Sequence, residues 1–165
     1  MEISVLRLIL WSQFGAAIDT LQNAIVECQD KLWSDARRKR PYWHLAYHAL
    51  FFLDLYLSDT PKGFSPPAPF THSEFGGSGK TPDRVFSRAE LQTYLAHCRE
   101  KCISSMEALT EEGALQRCGF RWLTMNVGEL FLYNMRHVQH HAAQLNLILR
   151  EELDQGSKWI FKTKQ

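Results

Sequence analysis

The chain has 165 residues, 45% of them hydrophobic and 22% charged, with a formal net charge of +1. That is an ordinary globular mix, and the length suits one domain, residues 1–165, with a sizeable core. So small a charge creates no overall field to gather nucleic acid or an anionic membrane, and neither is expected as a partner.

The N-terminus, MEISVLRLILW, carries an apolar run but no basic stretch and no small-residue cleavage site, and it is far too short to span a bilayer. The chain is therefore read as cytoplasmic. Cys28, Cys98, Cys102 and Cys118 are read as reduced, buried thiols; no C-x-x-C pair occurs.

Leu6, Leu10, Phe14, Ile18, Leu21, Ile25 and Val26 recur close to a helical period, so residues 3–32 are predicted as a first helix, with a bend at Gly15. Residues 34–41 form a polar, basic break. Its run Arg37, Arg38, Lys39, Arg40 is read as a solvated connection able to steer an anionic substrate. Pro41 suits the first turn of a second helix over residues 42–57, YWHLAYHALFFLDLYL. That helix is apolar nearly all round, which means burial on most faces, so His44, His48 and Asp54 inside it need partners.

Residues 58–85 hold five prolines and the glycines Gly76, Gly77 and Gly79, and are predicted as one long functional loop. Within it, GGSGKT resembles a phosphate-binding loop only superficially. The pattern requires glycine at position 74, which is Glu74, and no strand precedes it. Ser87 followed by Glu90 forms a capping box that starts a third helix, running to about residue 109. Residues 110–120 read as an irregular connection with a short helical turn. A fourth helix is predicted over residues 126–153, capped by Asn126 with Glu129 three residues on, and stopped at Gly156. No strand alternation appears, so the expected fold is all-α, a four-helix bundle with a long loop between helices two and three.

The fourth helix contains RHVQHHAAQ. His137 and His141 are four apart and share a face, so their imidazoles can converge on one metal ion. His140 points away and is read as a rim or surface residue. A catalytic zinc-type site uses three protein ligands and leaves one position open. The buried second helix offers His48 as the third ligand, with His44 as a supporting or rim residue; a four-histidine site would close the open position. Ligand type alone leaves zinc, nickel, iron and copper open. The H-E-x-x-H, E-x-x-H and G-x-S-x-G patterns are all absent. Tyr133 and Glu129 fall on the same stripe as His137. They read either as pocket lining or as a core residue and a helix-terminal charge.

The segments ELFLYNMRHVQHHAAQLNLILR and YWHLAYHALFFLDLYL together resemble the DinB/YfiT-like metalloenzyme superfamily. Its pattern falls here on His48, His137, His141 and Gln144. The resemblance implies an up-down-down-up bundle, often dimeric, whose three histidines hold a divalent metal, commonly zinc or nickel. It also implies a small-molecule substrate in transferase or isomerase chemistry that uses a low-molecular-weight thiol such as bacillithiol or mycothiol. Relatives often carry Arg-Gly before the glutamine where this chain has Ala142 and Ala143. A non-catalytic, stress-related metal-binding or interaction module is the alternative, and no residue stands out as a general base.

Overall fold

The computed structural model describes residues 2–75, 82–154 and 156–163. The described residues are all-α, with four long helices and no strand: α1 (Ile3–Glu27), α2 (Asp30–Trp33), α3 (Tyr42–Tyr56), α4 (Arg88–Ala108), α5 (Glu111–Leu115) and α6 (Val127–Leu153), plus a 3-10 turn at His72–Glu74. Residues 76–81, the stretch read as a flexible loop, lie outside the described residues.

Local chemistry sets the starts of α4, α5 and α6. Ser87 Oγ accepts from the Glu90 amide at 3.2 Å while Glu90 returns a bond to the Ser87 amide at 2.8 Å. Asn126 and Glu129 form the same reciprocal pair, both bonds at 2.8 Å. The predicted short turn is α5, capped by Thr110.

Two expectations need correction. The first helix does not run to residue 32: Cys28 and Gln29 are extended, and the one-turn α2 follows. Tertiary bonds hold this break, since Arg88 donates to the Cys28 carbonyl and Trp33 Nε1 donates to the Phe86 carbonyl. Helix α1 is continuous through Gly15. A Cβ there would lie 2.5 Å from Thr163 Cγ2, so the glycine provides the seat on which the C-terminal segment rests. Finally, α6 stops at Asp154, which adopts the left-handed conformation at φ 51°, rather than at Gly156.

Helix α1 packs on α6 and α4, and α3 packs on the same two helices. Asp54 on α3, 1% exposed, takes Lys101 Nζ at 2.5 Å and the Tyr94 hydroxyl at 3.0 Å, both from α4. On the other side Asn134 donates to the Leu53 carbonyl at 3.0 Å, tying α6 to α3. The described parts of the long connection after α3 pack on the helices. Phe64, Phe70 and Phe86 are buried, and Phe70 stacks on Tyr94 with ring centroids 4.3 Å apart. Each such buried ring contributes about 1.5–3 kcal/mol to holding the segment on the helices.

The four cysteines are free and buried. Burial pushes the Cys28 and Cys102 thiols up to about 12 and Cys98 well above its ordinary value, so they stay protonated. In the basic break, Arg37 pairs with Asp35 at 2.6 Å and Arg38 with Glu152 at 2.5 Å, as suits a solvated connection. Among the described residues no helix is long and apolar enough to cross a membrane.

Candidate metal centre

Helices α3 and α6 face each other along a wall of rings, and three histidines meet there. One nitrogen from each of His48, His137 and His141 lies within 4.8 Å of the others. His137 Nε2 and His141 Nε2 are 3.1 Å apart, as the four-residue spacing on one helix face dictates. Phe52 and Tyr56 wall the group, with ring centroids 5.5 and 6.2 Å from that of His137.

Neighbouring residues fix how two of these rings point. Glu74, in the 3-10 turn, accepts from His48 Nδ1 at 2.5 Å and from His44 Nε2 at 2.8 Å. That leaves His48 Nε2 as its free donor atom. Gln144 Oε1 accepts from His141 Nδ1 at 2.7 Å, which leaves His141 Nε2 with its electron pair toward the cluster. The glutamine of the family-like pattern thus has a mechanical role. Among the described residues His137 Nδ1 is buried with no hydrogen-bond partner.

Electrostatics favour neutral rings. Burial, with His141 and His48 close by, brings His137 down to about 3. Burial and His48 bring His141 down to about 4. Both are therefore unprotonated at neutral pH, the form that ligates metals. Burial by itself would raise the Glu74 carboxyl, but the hydrogen bonds from His44 and His48 outweigh it and hold Glu74 at about 2. The centre therefore carries a fixed anion, Glu74, on the far side of the His48 ring from two neutral imidazoles, His137 and His141. This donor set, one imidazole nitrogen from each of three histidines within 4.8 Å of one another, fits a divalent ion.

The structure brings together all three residues singled out from the sequence. His44 is buried and serves Glu74, one step back from the cluster. His140 is exposed and only edges against His141, with centroids 5.0 Å apart. Glu129 is occupied by its cap, and Tyr133 packs on Tyr56 at 5.3 Å beside a cleft that reaches His137. Sequence reasoning missed Glu74, because a loop position carries no periodicity that reports which helix it meets. The available signal was the need itself: two histidines buried in an apolar helix require an acid, and the long loop contains only Asp59, Glu74 and Asp83.

No curated protein and no solved structure matches the chain. A family model described as the DinB superfamily matches residues 13–145, which takes in all three histidines, Glu74 and Gln144. The chain belongs to the DinB superfamily.

Proposed function

We propose that the chain is a divalent-metal-dependent enzyme that acts on a small molecule with the help of a low-molecular-weight thiol, as an S-transferase or isomerase. The observation that carries this reading is the convergence of three histidine nitrogens within 4.8 Å, two of them aimed by Glu74 and Gln144. His48, His137 and His141 would hold the ion, zinc or nickel by the resemblance to the family, since imidazole ligands alone also admit iron and copper. A bound ion of this kind supplies Lewis acidity, lowering the pKa of a water or thiol so that it is a nucleophile at neutral pH. Glu74 holds the His48 proton on Nδ1, Gln144 holds the His141 proton on Nδ1, and Phe52 and Tyr56 keep water from two sides. The helix contacts support an up-down-down-up four-helix bundle: residues 7 and 19 of α1 meet residues 109 and 99, and residues 48 and 53 of α3 meet residues 141 and 134 of α6. A homodimer is part of the proposal.

A non-catalytic module with a closed four-histidine site is the competing reading. His44 directs its Nε2 to Glu74, which favours a three-histidine site with a position left open. Elemental mass spectrometry of untagged protein tests the proposal. About one ion per chain is expected, lost in His48→Ala, His137→Ala and His141→Ala and retained in His140→Ala. Equal loss in all four variants, or no metal taken up by the parent chain, would overturn the assignment. With cobalt in the site, a spectrum that shifts on adding a thiol separates the enzyme from the closed module.

A further inference from the structure

Residues 156–163 lie outside the span matched by the family model, and they build something on it. They form a strap held at both ends. The Ser157 amide donates to Asn146 Oδ1 at 2.9 Å and Ser157 Oγ to Glu27 Oε2 at 2.8 Å. At the other end the Thr163 amide donates to the Ser12 carbonyl at 3.0 Å, over the seat that Gly15 leaves open. Between the anchors, Gln13 Nε2 donates to the Phe161 carbonyl at 3.2 Å.

The strap, α1 and α6 enclose a cleft of about 610 Å³ whose inner border is His137. Trp159 stands on one side, 70% exposed, although the strap that carries it is fixed. Tyr133 and Met135 continue the apolar wall, and Ala16, Ala17 and Ala143 keep the floor shallow. Arg136, His140, Gln13 and Gln139 supply the polar atoms, and among the described residues no carboxylate lines the cleft. Among the described residues Arg136, like Arg7, Arg40, Arg117, Arg121 and Arg150, has no ion-pair partner, and of these it alone lines the cleft. A held indole left in water, lining the same cleft as an unpaired guanidinium, is poorly used by the fold alone. It is well matched to a flat apolar body with an anionic group.

We infer that this cleft binds an organic anion with a flat, apolar body, the body lying on Trp159 and the charge on Arg136, with its inner end next to His137. The inference depends on the proposed function only for the reaction of the bound molecule. Binding itself needs no metal.

The test is isothermal titration calorimetry on the full chain with 2-naphthalenesulfonate, and with naphthalene-2-sulfonamide as its neutral counterpart. One equivalent of the sulfonate should bind. Trp159→Ala should weaken both probes by about tenfold or more, and Trp159→Phe should restore most of the loss. Arg136→Gln should weaken the sulfonate by about tenfold and leave the sulfonamide unchanged. Trp122→Ala, which removes another exposed indole, should change nothing. Because Trp159 and Arg136 are exposed, these variants leave the core intact, and a thermal melt checks that. No saturable binding by the parent chain, or wild-type affinity in both Trp159→Ala and Arg136→Gln, would overturn the inference. His48→Ala should still bind the sulfonate. A parent chain that binds the probe but takes up no metal would sink the proposed function and leave this site standing.

Discussion

Glu74→Gln should weaken metal binding and destabilise the metal-free chain at once. The Glu74 side chain is 3% exposed, and its two oxygens accept from His44 Nε2 and His48 Nδ1 at 2.8 and 2.5 Å. Glutamine keeps one oxygen and puts an amide N–H in place of the other, so one imidazole N–H faces a second donor. Leaving one buried donor unmatched costs about 1–3 kcal/mol. At about 2–4 °C per kcal/mol for a chain of this size, the melting midpoint should fall by about 2–12 °C. His48 can relieve the clash by moving its proton to Nε2, but that removes the electron pair offered to a metal. Affinity should then drop by about 10–100-fold, the usual effect of losing a group that orients a ligand. Competition titration with a zinc chelator reads the affinity, and thermal melts of chelator-treated protein read the stability. If Glu74→Gln binds zinc like the parent and melts at the same temperature, the carboxylate does not position His48 and the reasoning fails.

Acid should act on the metal-free fold in a defined window. His137 and His141 are held at about 3 and about 4 against an ordinary 6.5, so below 6.5 the unfolded chain takes up protons that the folded chain refuses. Stability should therefore fall as pH drops from 6.5 toward 4, by at most about 1.4 kcal/mol per pH unit for each group. Glu74 adds a loss in the same direction below its ordinary 4.5, complete near its folded value of about 2. Urea unfolding of the chelator-treated chain from pH 7 to 4 checks this, and a flat profile that His137→Gln leaves unaltered would count against the burial of the cluster. Gly15→Ala should lift the strap and cost about 1–3 kcal/mol, because the new Cβ meets Thr163 Cγ2 at 2.5 Å. Hydrogen exchange in residues 156–163 should rise, and Thr163→Gly should compensate. Asp54→Ala leaves Lys101 and Tyr94 without their buried partner and should cost about 3–5 kcal/mol, read by urea unfolding; a loss below about 1 kcal/mol would show that Lys101 escapes to solvent.

The three candidate ligands could be read from the chain because the information is local. His137 and His141 share a face by the pitch of one helix, and His48 is conspicuous as a polar group in an apolar one. The capping boxes at Ser87 and Asn126 are equally local, since each closes within one turn. What the sequence by itself determined was therefore the helices, their buried faces and the residue types of the site. Contacts between distant segments belong to the tertiary structure, because nothing in spacing encodes them. It set Glu74 from the long connection against His44 and His48, and broke the first helix at Cys28 where Arg88 and Phe86 reach across. It also laid the C-terminal strap over Gly15, which serves as its seat. A glycine or a loop glutamate permits many partners; only the packed chain selects one, because burial then penalises every donor and acceptor left unmatched.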